Sequence, residues 1–421
     1  MKDKIKTIFA YEILDSRGNP TVACDITTKK GITATAMVPS GASTGVHEAI
    51  ELRDGDETRY GGKGVLIACQ NVNETLAPDI QGMAVDEQKL LDKKLLALDG
   101  TKNKSSLGAN ALLSVSLAAA HAAAKSAELP LYRYLADRPS YEMPLPLFNV
   151  INGGAHADNN LSVQEYKIAP VSAPSLREAV RMGAEVFHTL KKKLAEDGHS
   201  TGVGDEGGFA PKLRNSEEAL EYIIQAVELA GFAPGSDIKI AMDVAAAEFY
   251  ENGKYMFDGK AMAAEELSDV YGKWIDKYPI ASLEDPFDQD AWQDWTDFTA
   301  KYGSRIQIMG DDLLVTNKER LEKAISEKTC NAILIKPNQI GTLSETREVI
   351  ERAQEVSFGT VISHRSGETC DTTIADLAVA LETRQIKTGS LSRSERTAKY
   401  NRMMKIESEL AGSSTYQPPL K

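Results

Sequence analysis

The run Ala332-Ile-Leu-Ile-Lys336-Pro-Asn338 constrains this chain more than any other stretch. An apolar run enters a lysine and meets a proline at once. Pro337 lacks a backbone donor and restricts the residue before it, so a strand carrying this run stops at Lys336. The lysine is thereby set at the carboxyl end of a buried strand. A single strand-end lysine usually faces water, but the arrangement recurs. Ile238–Met242 runs into Asp243, Ile280–Leu283 into Glu284, and Ile306–Gly310 into Asp311. Thr360–Ser363 runs into His364-Arg365, and Gln385-Ile386 into Lys387. Each of these segments ends in a charged or titratable side chain.

Helical patterns at 176–194, 216–229, 264–278, 318–328 and 344–357 lie between such strands, and alternation of this kind builds a parallel sheet. About 280 residues of it is too much for most open sheets and suits a closed (β/α)8-type barrel, whose strand ends converge on one cup. The earlier part reads differently. Residues 7–39 alternate as a small antiparallel sheet, and helical stretches follow at 65–76, 86–98 and 107–128. Pro139, Pro144 and Pro146 mark the change. The expected domains are an α+β cap over 1–138 and an α/β barrel over 139–421, with a frayed tail at 417–421.

With 61 acidic against 48 basic residues the net charge is −13, which argues against a nucleic-acid surface. No eighteen apolar residues run together, so no membrane span is expected. Cys24, Cys69, Cys330 and Cys370 form no CxxC pair and read as reduced thiols. The highly charged start is unlike a signal peptide. A cytoplasmic globular protein is the expectation.

Asp243, Glu284 and Asp311, at the ends of separate strands, suit the oxygen ligands of one Mg²⁺. Any one of them serves equally well as a cap for the next helix. Three in consecutive units, two of them doubled by Asp285 and Asp312, favour metal. Lys336, Arg365 and Lys387, with His364 and Ser366 beside the arginine, suit a small, highly anionic substrate. Arg365 is placed to clamp phosphate or carboxylate in bidentate fashion. The plain alternative is that these cations only neutralise the acids. A lysine among cations and metal is expected to have its pKa depressed, as a general base requires. Three glycine-rich loops complete the set: Ser40–Gly45, Asn152–Asn160 around His156, and Gly202–Gly208 around Glu206. Alone, each reads as an ordinary turn.

Together these stretches resemble the enolase family. The resemblance rests on Asp15-Ser-Arg-Gly-Asn-Pro-Thr21, Ser40–Gly45, Asn152–Asn160, Gly204–Pro211, Ser282–Phe287, Gly310–Asn317 and Leu334–Thr342. Most specific are Ser363-His-Arg-Ser-Gly-Glu-Thr369 and Lys387-Thr-Gly-Ser-Leu-Ser-Arg-Ser-Glu-Arg396. It implies reversible dehydration of 2-phosphoglycerate to phosphoenolpyruvate with two Mg²⁺, one on Asp243, Glu284 and Asp311, the other bridging substrate phosphate and Ser43. Lys336 corresponds to the base at C2, and Glu206 to the acid at the C3 hydroxyl, assisted by Glu165. Gln164 lies beside the leaving group, and Asp312 supports Lys336. His156, Arg365, Ser366 and Lys387 contact substrate, and His364 shapes the pocket.

The resemblance also implies a homodimer or homo-octamer. It raises secondary binding, with cell-surface display, to plasminogen through Lys421 or to RNA-degrading complexes; a solvated chain end is the plainer reading of Lys421. Ala155, Lys167, Ser114 and Pro337 depart from the family's pattern. The rival within the superfamily is a racemase or cycloisomerase working on a phosphate-free carboxylate, for which the Ser40–Gly45 loop and the Arg365/Ser366 pair would have no use.

Overall fold

The computed structural model describes residues 2–41 and 45–420, so Ser43 and Lys421, both singled out above, lie outside the described residues. The chain opens with strands β1 (Ile5–Leu14), β2 (Pro20–Thr28) and β3 (Thr33–Met37), an antiparallel sheet in that order. Val22, Cys24 and Ile26 alternate into its buried face. Helix α1 (Gln88–Asp99) follows, then α2 (Ala109–Ser126). Alanine supplies much of α2, so its backbone approaches the sheet closely and it is buried along nearly its whole length.

Eight strands then close a barrel: β4 (Leu145–Asn152), β5 (Glu165–Pro170), β6 (Ile238–Asp243), β7 (Ile280–Glu284), β8 (Gln307–Gly310), β9 (Ala332–Ile335), β10 (Gly359–Ser363) and β11 (Arg384–Lys387). The order is sequential, and β11 returns to pair with β4. Outside the strands lie α3 (Leu176–Glu196), α4 (Ser216–Leu229), α5 (Ala264–Lys277), α6 (Trp292–Tyr302), α7 (Lys318–Glu327), α8 (Leu343–Glu355), α9 (Thr373–Ala380) and α10 (Ser394–Leu410). Five of these match the helical patterns of the sequence to within two residues.

Alternation of strand and helix points to parallel pairing, and one strand departs from it. β5 runs antiparallel to both neighbours, pairing Asn152 with Glu165 on one side and Glu165 with Asp243 on the other. A parallel return needs a crossover, usually a helix of a dozen or more residues. The loop after β4 carries only a single 3₁₀ turn at Gly154–His156, so the chain doubles back instead. Two helices, α3 and α4, then follow in succession before β6.

Inside the barrel, Leu145, Leu147, Ala241, Met309, Leu334 and Val361 pack an apolar layer. Below it Gln307 donates to Ser282 Oγ (3.0 Å), and Gln385 donates back to Gln307 (2.8 Å). The tail is not frayed as expected. Leu420 is buried and joins the barrel's inner apolar cluster, while Arg384 donates to the Gln417 carbonyl at 3.0 Å. The two prolines stiffen the approach, and the leucine stoppers the amino-terminal end of the barrel. Among the described residues no helix is long and apolar enough to cross a membrane. Leu420→Ala is expected to cost about 2 kcal/mol, the low end for a buried leucine, read as a lower thermal midpoint; an unchanged midpoint would show that the tail is dispensable.

Candidate active site

Strand order explains why distant residues meet. Glu165 stands opposite Asp243, and Asp243 opposite Glu284, so three carboxylates form one row across β5, β6 and β7. Because β5 is reversed, it contributes from its amino end, which lies at the same rim as the carboxyl ends of the others. Asp311 and Asp312 follow β8, Lys336 follows β9, His364-Arg365-Ser366 follow β10, and Lys387 ends β11. Apart from Ser43, every site residue expected from sequence lines one pocket except Glu284, which is wholly buried beside it.

The buried cations are distributed unevenly. Lys387 Nζ reaches Glu284 Oε1 (2.6 Å), Asp243 Oδ2 (2.8 Å) and Glu165 Oε1 (2.9 Å). Burial pulls its pKa down, but these carboxylates outweigh it and hold the ammonium well above the ordinary lysine value. Lys336 forms an ion pair with Asp311. Burial again opposes the charge, yet Asp311 prevails and the pKa of Lys336 is raised. The expected depression is not seen: that expectation counted a metal among the neighbours of the amine, whereas here the Asp311 carboxylate touches it. Arg365 and Lys387 do push Lys336 down, as expected, but less strongly than Asp311 pushes it up.

Arg365 is likewise engaged. Its Nη1 donates to Glu48 Oε2 at 2.9 Å and to Asn338 Oδ1 at 3.1 Å. Glu48 arrives from the first domain, so this ion pair ties the two domains across the pocket. A glutamate here occupies the position in which sequence reasoning put a substrate anion.

A divalent cation fits the donor set. Asp243 and Glu284 already converge on one positive centre, the Lys387 ammonium, while Asp311 is turned to Lys336. Gln164 Oε1 and Glu165 Oε2 are buried in the same pocket without a hydrogen-bond partner. The acids there whose oxygens lie within 4.8 Å of one another are a different set, Asp285 with Asp311 and Asp312. Asp285 is a poor ligand, because its two oxygens accept the Asp311 and Asp312 backbone amides at 2.9 and 2.8 Å. Burial and Asp311 push Asp312 up to about 8, and burial with Asp312 pushes Asp285 well above the carboxylate range.

On the opposite wall Glu206 and Glu165 face each other with His156 between them. Gly207 makes this possible: its φ is +87°, and a Cβ there would meet the Ser392 carbonyl at 2.7 Å. Burial and Glu206 raise the pKa of Glu165. Glu206 feels the same burial, but His364 and His156 hold it below the usual range. The pair is thus split, one carboxyl favouring its proton and the other its charge.

His364 is fixed from behind. Arg396 Nη1 lies 2.6 Å from His364 Nδ1, and a guanidinium can only donate, so Nδ1 accepts and the ring proton is on Nε2. That nitrogen stands 3.3 Å from Glu206 Oε1. Burial lowers the His364 pKa to about 4. Arg396 is fully buried and also donates to the carbonyls of Arg365 (2.6 Å), Ser366 (2.6 Å) and Asp205 (3.0 Å). Sequence reading quoted Arg396 as the end of a motif but gave it no part. Glu48, Asn149 and Gln339 were missed as well; Asn149 donates to Glu206 at 2.9 Å and Gln339 to Asp311 at 2.9 Å. Asn149 had a signal, its place on a strand facing the cup; Glu48 and Gln339 had none, since contacts between loops leave no period in sequence.

A barrel whose rim gathers carboxylates about buried ammonium groups, capped by a smaller α+β domain, defines a two-domain α/β-barrel enzyme. The family model described as Enolase, C-terminal TIM barrel domain, matches residues 140–419, and that described as Enolase, N-terminal domain, matches residues 5–135. The chain belongs to the enolase family.

Arg396→Met leaves three loop carbonyls and a histidine without their donor, and is expected to cost about 3 kcal/mol or more, the scale for breaking a buried charged contact. Urea unfolding measures it, and a loss under about 1 kcal/mol would mean these loops are held by other contacts.

Proposed function

We propose that the chain catalyses the reversible dehydration of 2-phosphoglycerate to phosphoenolpyruvate, with Lys336 as the base at C2 and the Glu206/Glu165 pair as the acid at C3. The observation that carries this reading is the ring order: Lys336 follows β9 and Glu165 begins β5, four strands away in a ring of eight, with Glu206 beside Glu165. Elimination requires both at once. A proton leaves C2 on one face while the C3 hydroxyl accepts one and departs as water.

Removing a proton beside a carboxylate adds charge to an existing anion, and the site has to compensate that charge. Lys387, held charged by its acidic neighbours, is placed to face the substrate carboxylate. Asp243, Glu284 and Asp311 would hold Mg²⁺, which when bound supplies further positive charge at that carboxylate. Were Asp311 engaged in that way, Lys336 would lose the carboxylate that raises its pKa. Arg365 and Lys387 remain beside it and favour the neutral amine that takes the C2 proton. Glu165, the carboxyl that retains its proton more readily, supplies the proton, and Glu206 passes it to the C3 oxygen. His364 donates from Nε2 toward Glu206, and Arg396 fixes that tautomer. Arg365 and Ser366 take the phosphate once Glu48 yields the guanidinium. A phosphate-free carboxylate, as a racemase or cycloisomerase would use, leaves this arginine with no substrate group to hold.

Formation of phosphoenolpyruvate from 2-phosphoglycerate, followed by its ultraviolet absorbance, is expected to require added Mg²⁺ and to stop with a chelator. Lys336→Ala and Glu206→Gln are each expected to lower kcat by at least ~10²-fold, the scale for a positioned acid–base group. Asp243→Asn is expected to raise the Mg²⁺ requirement first. Near-wild-type turnover by either acid–base variant contradicts the assignment.

A further inference from the structure

Lys167 is one buried cation that the proposed mechanism does not use. It is the third residue of β5, and strand alternation puts it on the same inward face as Glu165, while Tyr166 points out to the Ser216 carbonyl. Register sets it opposite Ala241, one row beneath the rim formed by Glu165, Asp243 and Glu284. Its side chain has no exposure to solvent. Nζ donates to Glu284 Oε2 at 2.6 Å and lies 3.6 Å from Glu165 Oε2. Lys387 meanwhile takes the other oxygen of Glu284 at 2.6 Å. Both oxygens of this carboxylate are therefore held by ammonium groups.

The two lysines differ in what they can do. Lys387 lines the pocket and is shared among three acids, so it can turn toward a substrate anion when a metal takes its place. Lys167 lies in the barrel below the pocket floor, with carboxylates above it and the apolar layer beside it. It has no water to retreat to, and Glu284 is the acid it touches.

We propose that Lys167 is a positioning residue that holds Glu284 to one-oxygen ligation and, by its fixed charge, weakens the site's hold on a divalent cation. This rests on the reading that Asp243, Glu284 and Asp311 bind that cation. Oxygen-ligand sites tune cation affinity over orders of magnitude by their ligand charge, and a buried ammonium touching one ligand subtracts a full charge. Such a site exchanges its metal readily instead of trapping it. Lys167 also fixes which oxygen of Glu284 faces the pocket, since Oε2 is committed below.

The test is calorimetric titration of Mg²⁺ alone into the full chain, without substrate, for the wild type, Lys167→Met, Lys167→Gln and Glu284→Gln. Methionine keeps the length and removes the charge; glutamine is the second neutral variant, should methionine leave the barrel unable to fold, with thermal melting as the check. Both neutral variants are expected to bind Mg²⁺ at least ~10-fold more tightly, in line with removal of a neighbouring like charge, and Glu284→Gln to bind it more weakly. If Glu284→Gln weakens binding but the Lys167 variants bind as the wild type does, or less tightly, this inference is wrong and the metal assignment stands. If Glu284→Gln leaves Mg²⁺ affinity unaltered, the metal assignment falls and takes the inference with it.

Discussion

The ammonium of Lys387 organises the pocket. It ends the last strand of the barrel and reaches three carboxylates, from β5, β6 and β7, on the other side of the ring. Buried acids in such number repel one another and lose their hydration, so they persist only if compensated. Glu284 feels both costs: burial raises its pKa first and Asp243 adds to it, with Lys167 and Lys387 working against them. These two lysines offset part of both costs. Closure of the barrel makes this reach possible, since only a ring brings the last strand near carboxylates two, three and four strands away.

Charge compensation also divides the pocket into working halves. On one side Asp311 and Lys336 form a pair that any ligand of Asp311 must break. On the other, Glu165 and Glu206 split their affinity for a proton, with His364 and Arg396 behind them. Between them Arg365 is held by Glu48 from the first domain, so an anion that took this guanidinium would also loosen the domain contact. A pocket this crowded with ion pairs is suited to exchanging partners instead of gaining them.

Much of this was legible in the sequence. Apolar runs ending in Asp243, Glu284, Asp311, Lys336, His364 and Lys387 gave both the barrel and the convergence of its rim, because strand alternation and a proline stop are local signals. The reversed β5 was not legible. Its alternation is the same in either direction, and direction depends on what the preceding loop can span. Leu420 was misjudged because proline-rich ends usually fray, and its partner is the mouth of a barrel assembled from residues far away in sequence. Lys336 was read as lying among cations and metal; Asp311, at the end of the adjacent strand, touches it and raises its pKa against burial. Lys167 was visible only as a departure from a pattern, and its contacts give it meaning.

The central claim is that the two walls perform separate proton transfers, and hydrogen exchange at C2 of 2-phosphoglycerate tests it most directly. In deuterated buffer with Mg²⁺, proton resonance follows loss of the C2 hydrogen from unreacted substrate. The Lys336→Ala variant is predicted to show no exchange, whereas Glu206→Gln still exchanges C2 while forming little phosphoenolpyruvate. Continued exchange in the absence of Lys336, or exchange abolished only by loss of Glu206, would contradict the account.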